Sequence, residues 1–230
     1  MQRRQFVALA GAGISFSLAG CSSLLTGGGV TSGSNRTAKA EIIESKLFEI
    51  PAEKSPDYFL RTQIKNTGDV TIDLLPTTMK LYSDDGSIIE KEYYGISDLK
   101  QGEIFENSIF YDRKRENGER DSPVKGSVKF GELLSSSVNN TQPSGVNISN
   151  IDFKPGKDAA LSAHITNTSD KPFKASVTVK FLSKQDYVLA TPTGSTRLDP
   201  GETQAFTLGG TVPYLEYERK TTDYEILIEI

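Results

Sequence analysis

The sequence predicts an all-β protein, with two tandem antiparallel β-sandwiches that follow an apolar leader and a flexible tether. Three observations predict it. The apolar residues that could form a core are mostly Val, Ile, Leu, Phe and Tyr, with no Trp and 2 Met, and these residue types favour strands. From residue 40 onward, apolar and polar residues alternate in short runs that are broken by Gly, Pro, Asn and Asp. Two short motifs also recur in the same order in each half.

The first 21 residues, MQRRQFVALAGAGISFSLAGC, have the parts of a secretory signal peptide. Arg3 and Arg4 supply positive charge, residues 6–19 are apolar or small, and Leu18-Ala19-Gly20-Cys21 ends the segment. A membrane-spanning helix needs about 20 predominantly apolar residues. This run is shorter and rich in Gly, Ala and Ser, so we interpret residues 1–20 as a signal peptide.

The run Arg3-Arg4-Gln5-Phe6 resembles a twin-arginine export signal, and Leu-Ala-Gly-Cys resembles the lipobox of bacterial and archaeal lipoproteins. This resemblance implies that Cys21 becomes the lipid-modified first residue of the mature chain, anchored at the extracytoplasmic face of the cell membrane. The alternative is a plain secretory signal, which would leave Cys21 as an odd thiol; a lipid explains the cysteine better. A leader of this kind before an acidic chain also resembles envelope lipoproteins of halophilic archaea.

Charge and cysteine content exclude several classes of protein. The chain has 26 basic and 30 acidic side chains, a net charge of −4, and removal of Arg3 and Arg4 with the leader makes it more negative. A nucleic-acid partner is therefore not expected, because phosphate binding needs a basic face. Since Cys21 is the single cysteine, the folded part contains no disulfide and must be stabilised by its core.

Composition divides the rest of the chain. Residues 21–39 are rich in Gly, Ser and Thr and predict a lipidated tether, which as a flexible coil would span roughly 24 Å root-mean-square. We expect the first sandwich over 40–133, a polar linker over 134–145 and the second sandwich over 146–230.

The alternating pattern predicts twelve strands and, beyond the leader, no helix. In the predicted strand 58–65, for example, Tyr58, Leu60, Thr62 and Ile64 share one face. The predicted strands are 40–48, 58–65, 77–83, 87–93, 104–111, 124–130, 147–153, 159–167, 173–182, 186–191, 203–212 and 223–230.

Two charged segments have the composition of turns. Asp85-Gly86 predicts a β-hairpin, because Asp-Gly supplies positive φ with little strain. The run Asp84-Asp85-Gly86 lacks the further acidic ligands and the final Glu of a calcium loop, so no calcium is expected there. Residues 113–121 mix both signs of charge, which is typical of a solvated hairpin tip; the alternative is a loop that docks a partner.

The two recurrent motifs indicate an internal repeat. The run Ile64-Lys65-Asn66-Thr67-Gly68-Asp69 matches Ile165-Thr166-Asn167-Thr168-Ser169-Asp170, and Leu99-Lys100-Gln101-Gly102-Glu103 matches Leu198-Asp199-Pro200-Gly201-Glu202. The interval from the Ile of the first motif to the Gly of the second is 38 residues in one half and 36 in the other. Two motifs in the same order at similar spacing are the signature of a repeat.

Both motifs have structural roles. Asn, Thr and Asp at a strand end hydrogen-bond nearby backbone, and Pro-Gly fits the second and third positions of a tight turn. We interpret as structural the ten residues Asn66, Thr67, Asp69, Gly102, Glu103, Asn167, Thr168, Asp170, Gly201 and Glu202. The arrangement resembles the immunoglobulin-like and fibronectin-like modules of prokaryotic surface lipoproteins, among them FxLyD domains, whose name string is approached by residues 79–84. The resemblance implies two tandem immunoglobulin-like sandwiches.

The sequence offers little catalytic chemistry. His164 is the single histidine, and with Leu161, Ala163 and Ile165 facing inward it is expected to point outward. One His and a lipid-bearing Cys exclude a His-based triad or a multi-His zinc site within one chain. Phosphate-loop and serine-hydrolase motifs are absent from the sequence, and the carboxylates are dispersed. We expect no cofactor, no metal and no enzymatic activity.

The tyrosines allow two interpretations. Tyr93-Tyr94 and the group Tyr214, Tyr217 and Tyr224 could form an aromatic patch for a sugar or a partner. Tyrosine is also common at the rim of sandwiches, where it needs no ligand, and we favour the rim.

We therefore expect a membrane-anchored extracytoplasmic lipoprotein, monomeric in isolation, that serves as a non-catalytic binding or scaffold module for another envelope protein. The alternative is a ligand-capture lipoprotein that presents a carbohydrate or small solute to a transporter, which requires a concave pocket. An enzyme would require a convergent carboxylate pair. Asn35 and Asn139, which begin Asn-x-Ser/Thr in the tether and linker, are the accessible candidates for glycosylation.

Overall fold

The computed structural model describes residues 37–50, 57–111, 122–135, 143–156, 158–211 and 221–230. All regular secondary structure in these ranges is β-strand, so the predicted all-β fold is confirmed. The strands are β1 (Ala40–Ile50), β2 (Asp57–Asn66), β3 (Ile72–Tyr82), β4 (Ile88–Leu99), β5 (Ile104–Tyr111), β6 (Lys125–Phe130), β7 (Leu134–Ser135), β8 (Val146–Lys154), β9 (Asp158–Asn167), β10 (Phe173–Ser183), β11 (Val188–Ala190), β12 (Thr193–Leu198), β13 (Thr203–Thr211) and β14 (Thr221–Glu229). Within the described ranges, no helix is long and apolar enough to cross a membrane.

The first half of the chain forms two facing layers. Strands β1, β2 and β5 pair in one layer, while β3 pairs with β4 on one side and with β6 and β7 on the other. Apolar side chains from both layers are fully buried between them, among them Ile64, Met79, Leu81, Ile96 and Ile109. The predicted face of β2 is confirmed, because Tyr58, Leu60, Thr62 and Ile64 alternate into this core.

The second half forms two layers in a corresponding way. Strands β8, β9 and β13 make a three-stranded sheet, which faces β10 with its neighbours β11, β12 and β14. The core between these layers contains Leu161, Ile165, Val179, Phe181 and Leu198, all fully buried.

One sheet runs through both halves, which the sequence does not predict. Strand β11 pairs in parallel with β5, with Val188 opposite Phe105, and this pairing joins seven strands into one sheet. The apolar core also crosses the boundary, because Val188 and Leu182 pack against Ile64, Leu99 and Phe105 of the first half. The two halves therefore share a core as well as a sheet.

Most predicted strands correspond to observed ones, and the differences have local causes. Strand β3 begins at Ile72 rather than at residue 77, although it contains Pro76. The proline is tolerated because it lies in the gap between β6, which ends opposite Thr77, and β7, which begins opposite Leu74. Strand β7 falls within residues 134–145, the segment that the sequence predicts as a linker. The sequence does not predict strand β12, since its small polar residues have the composition of a turn.

Candidate interaction surface

Among the residues predicted from sequence, those of the leader and the glycosylation candidates lie outside the described part of the chain. They are Arg3, Arg4, Phe6, Leu18, Ala19, Gly20, Cys21, Asn35 and Asn139. The turn-motif residues are all described, and they show how each half is closed at one end.

Asn66 connects the two motifs of the first half. Its side-chain Nδ2 donates to the carbonyl oxygens of Val70 and Leu99, each at 2.8 Å, and its Oδ1 accepts from the N–H of Gly68 at 3.0 Å. Its backbone N–H donates to the carbonyl of Glu103 at 3.1 Å, and its own carbonyl accepts from Gly102 N–H at 2.9 Å. The side chain is fully buried, so these bonds replace water for all of its polar atoms.

Asn167 makes the corresponding bonds in the second half. Its Nδ2 donates to Lys171 and Leu198 carbonyls at 2.8 and 3.1 Å, and its Oδ1 accepts from Ser169 N–H at 2.9 Å. Its backbone N–H donates to Glu202, and its carbonyl accepts from Gly201 N–H, both at 2.9 Å. This pattern supports the structural interpretation of both asparagines.

The glycines and glutamates of the second motif complete each turn. Gly102 and Gly201 have φ of 80° and 77°, a left-handed conformation that glycine adopts without a Cβ penalty. Glu103 Oε2 accepts from Lys100 N–H and Glu202 Oε2 accepts from Asp199 N–H, each at 2.8 Å. These contacts support the structural interpretation of both residues.

Most of the remaining motif residues form hydrogen bonds with neighbouring segments of the chain. Thr67 N–H donates to the Lys39 carbonyl at 2.9 Å, and Thr168 N–H donates to the Gly145 carbonyl at 2.8 Å. Asp69 exchanges two hydrogen bonds with Thr37, through its own N–H and its Oδ1. Asp170 is exposed at the corresponding turn.

Glu103 has a second partner, which belongs to the other half. Its Oε2 lies 2.7 Å from Nζ of Lys180, whose side chain on β10 is fully buried. Glu225 on β14 lies 3.7 Å from the same ammonium and also pairs with Lys100. A cluster of two lysines and two glutamates therefore connects the turn after β4 to β10 and β14.

Asp98 adds a further carboxylate to this contact between the two halves. It is 9% exposed and has a φ of 53°. Burial raises the pKa of Asp98 above its usual value, and the nearby carboxylate of Glu229 raises it further, whereas the charge of Lys180 and a hydrogen bond with Thr178 oppose the rise. This site is not predictable from the sequence, because its residues come from strands that lie far apart in the chain.

An open cleft of about 330 Å³ lies on the second half, between the start of β10 and β12. Its lining residues are Pro172, Phe173, Lys174, Ser195, Thr196 and Arg197. Lys174 and Arg197 are exposed and stand directly opposite each other on β10 and β12. Like charges directly opposite across two strands are destabilising, so this cleft favours a negatively charged partner.

Other candidate groups are explained by their surroundings. His164 points outward as predicted and contacts Asn150 Nδ2 through Nδ1 at 3.0 Å. Asp85 accepts hydrogen bonds from Ser83 Oγ, Ser87 N–H and Ser87 Oγ at 2.6 to 3.0 Å, which confirms the predicted turn between β3 and β4. The described part of the chain contains no cluster of three or more His, Cys, Asp or Glu side chains suited to a metal.

The predicted aromatic pair separates into two environments. Tyr93 is 69% exposed and contacts Lys91 Nζ, which lies 4.4 Å from the ring centroid. Tyr94 points inward and stacks with Phe105 at 5.9 Å between ring centroids, and burial raises its pKa. Tyr224 packs against Phe153 at 4.9 Å, while Tyr214 and Tyr217 lie outside the described residues. The described tyrosines therefore do not form one patch.

A second group of buried polar residues lies on the outer face of β2 and β5. Gln63 Nε2 donates to Glu106 Oε2 at 2.6 Å, and Glu106 is fully buried. In the adjacent rows, Arg61 pairs with Glu44 and its guanidinium lies 5.1 Å from the ring centroid of Phe48. The polar contacts fix these side chains to one another across the strands.

Comparison with known proteins gives little to add to this geometry. No protein-family model and no curated protein matches the chain. Among solved structures, the chain is similar to a calcium-binding mutant of Bacteroides uniformis beta-glucuronidase 2, with 14% sequence identity over 76% of this chain and a TM-score of 0.22. The chain covers 28% of that chain. At this TM-score no conclusion about fold or function follows.

Proposed function

We propose that this chain is a lipid-anchored extracytoplasmic protein that serves as a non-catalytic scaffold or binding module for another envelope protein. Its first 21 residues carry the proposal, because a charged start, an apolar run and a terminal Cys21 occur together, and Cys21 is the single cysteine of the chain. Export by the twin-arginine route and lipid attachment at Cys21 are parts of the same proposal.

The two halves are, in this proposal, copies of one immunoglobulin-like module. The matching hydrogen bonds of Asn66 and Asn167 support a common origin. The shared core and sheet support a rigid body rather than two modules on a flexible joint, since the junction buries Val188 and Lys180 completely. A rigid body presents its loops and sheet edges in fixed positions, which suits recognition of a partner.

Two experiments test the proposal. Cys21→Ser should move the protein from the membrane fraction to the soluble extracytoplasmic fraction, with Ser22→Ala as the matched control that leaves it in the membrane. In-cell crosslinking of the anchored protein, followed by mass spectrometry, should yield one stoichiometric envelope partner. An unchanged membrane fraction for Cys21→Ser would refute the lipid anchor, and an abundant protein without any crosslinked partner would refute the scaffold role.

Ligand capture is the second candidate, and the cleft beside Lys174 and Arg197 favours it for a small anionic solute. Pockets for small ligands usually enclose most of the ligand surface. This cleft is open and its single aromatic side chain is Phe173, which suits a carbohydrate poorly. A thermal-shift screen of acidic solutes and sugars separates the two functions, because ligand capture requires a saturable rise in Tm with one solute class.

A further inference from the structure

The two halves carry opposite charges at one equivalent position. Asn66 donates to the carbonyl of Leu99, and Asn167 donates in the same way to Leu198. The residues that precede these two leucines are Asp98 and Arg197. An acid in the first half therefore corresponds to a base in the second.

The strand that pairs with each of these positions shows the same difference in charge between the halves. Ile72 pairs with Leu99 in the first half, and Phe173 pairs with Leu198 in the second. The residues that follow Ile72 and Phe173 are Asp73 and Lys174. The acidic pair of the first half is thus replaced by a basic pair in the second.

In the first half, this position is buried against the second half. Asp98 is 9% exposed, hydrogen-bonds with Thr178 and faces Lys180 on the outer surface of β10. In the second half the equivalent side chains, Lys174 and Arg197, are exposed and line an open cleft. The first half shows that this end of the fold can dock against another protein surface.

The cleft also borders a sheet edge. Strand β12 pairs with β10, and no other strand of the described ranges pairs with it. An exposed edge offers backbone N–H and C=O groups to an added strand, and Phe173 supplies apolar surface beside it. The acids closest in sequence, Asp170, Asp199 and Glu202, lie on the turns beside the cleft, where Glu202 Oε2 accepts a hydrogen bond from the N–H of Asp199.

We propose that the edge of β12 and the adjoining cleft bind an extended acidic segment of a partner protein, whose carboxylates pair with Lys174 and Arg197. The inference rests on the proposed function, because it names the chemistry by which the envelope partner is recognised. Backbone pairing along β12 supplies affinity, and the two cations supply the preference for acidic side chains.

The test uses the full chain in detergent micelles and a fluorescein-labelled peptide of alternating Glu and Thr residues, with Gln in place of Glu as the neutral comparison. Fluorescence anisotropy should show binding of the Glu peptide and about tenfold weaker binding of the Gln peptide. Lys174→Glu with Arg197→Glu should weaken binding of the Glu peptide about tenfold or more. The matched control is Lys154→Glu with Lys184→Glu, which changes the net charge equally at exposed sites and should leave binding unchanged.

Several results would overturn the inference. Equal loss in both double variants would mean nonspecific attraction to the protein surface. Absence of peptide binding would mean that the two cations only protect the edge of β12 from aggregation. Preferential binding of anionic phosphatidylglycerol vesicles, or self-association that the cleft variant abolishes, would assign the cleft to a membrane or to a second copy. If the cleft variant loses its unfolding transition, Lys174→Gln with Arg197→Gln takes its place.

Crosslinking separates this inference from the function on which it rests. If the native chain crosslinks an envelope partner and the cleft variant crosslinks it equally well, the scaffold role stands and the cleft assignment fails. If the native chain crosslinks no partner, the scaffold role itself fails.

Discussion

Lys180 on β10 and Glu103 in the turn after β4 join the two halves of the chain through an ion pair with 2.7 Å between Nζ and Oε2. The lysine side chain is fully buried, and the Glu103 side chain is 24% exposed. The same Oε2 accepts the N–H of Lys100, so one carboxylate both closes its own turn and binds the other half. A buried charge is tolerated when it is paired and hydrogen-bonded, and here the pair ties the turn to the shared sheet.

Removal of this ammonium should destabilise the protein. Lys180→Met keeps the aliphatic stem but leaves Glu103 and Glu225 without their common cation. Breaking a buried pair typically costs about 3 to 5 kcal/mol, and since both carboxylates are partly exposed we expect about 3 kcal/mol. Urea denaturation measures the change in the free energy of unfolding.

Two further variants test whether loss of this ion pair causes the destabilisation. Lys184→Met changes an exposed lysine near the end of the same strand and should alter stability little. The double variant Lys180→Met with Glu103→Gln should recover part of the loss, because it removes a carboxylate that the single variant leaves unpaired. If Lys180→Met were as stable as Lys184→Met, the ion pair would have no structural role.

The two asparagines should be equally important to their own halves. Asn66→Ala and Asn167→Ala each remove two donors and one acceptor from a buried site, which leaves two carbonyl groups and one N–H unsatisfied. Unsatisfied buried groups cost about 1 to 3 kcal/mol each, and partial relaxation leads us to expect about 2 to 4 kcal/mol per variant in urea denaturation.

Asn147→Ala is the matched control, because Asn147 is exposed on β8. It should change the free energy of unfolding by less than about 0.5 kcal/mol. A cost for one asparagine but not for the other would show that the two turns are not equivalent, although their hydrogen bonds match.

Local features were predicted from the sequence, because turns and alternating strands are encoded by nearby residues. The Asn-Thr and Gly-Glu motifs predict turns, and the chain turns at each of them. That Asn66 joins the two motifs was not predictable, since its bond to Leu99 connects residues 33 positions apart. Such a contact depends on the order of strands in the sheet, which alternation does not specify.

The junction and the cleft could not be predicted for a similar reason. Alternation places Lys180 on the polar face of β10, and a polar face ordinarily contacts water. It is buried because the first half packs on it, which is a tertiary effect. The cleft requires Lys174 and Arg197 to be paired, and Arg197 lies on β12, whose residues Thr193, Gly194 and Ser195 do not have a strand-like composition.

Asp98 should make stability depend on pH. Because burial raises its pKa in the folded state, the folded protein holds a proton that the unfolded chain has released between the two pKa values. Over that interval the free energy of unfolding falls as pH rises. Asp98→Asn removes this titration, so it should raise Tm at about pH 7, and the gain should shrink as pH falls towards about 3.9, the usual pKa of aspartate.

The pH dependence is the informative part of this measurement. Asn also accepts positive φ more readily than most residues, and Asp98 has a φ of 53°, so a pH-independent gain in Tm is expected as well. Thermal unfolding followed by circular dichroism between about pH 4 and pH 7 separates the two contributions. A gain of the same size at both ends of this range would contradict the assignment of a raised pKa to Asp98.

Val188 should couple the unfolding of the two halves. It is fully buried in the core of the first half although its strand, β11, follows β10 of the second half. We therefore expect one calorimetric transition, with equal calorimetric and van't Hoff enthalpies. Val188→Asp places a charge in the shared core and should split the transition in two, while Val124→Asp, at a 45% exposed position, should preserve a single transition. Two separate transitions in the unmodified protein would show that the shared sheet does not unite the halves energetically.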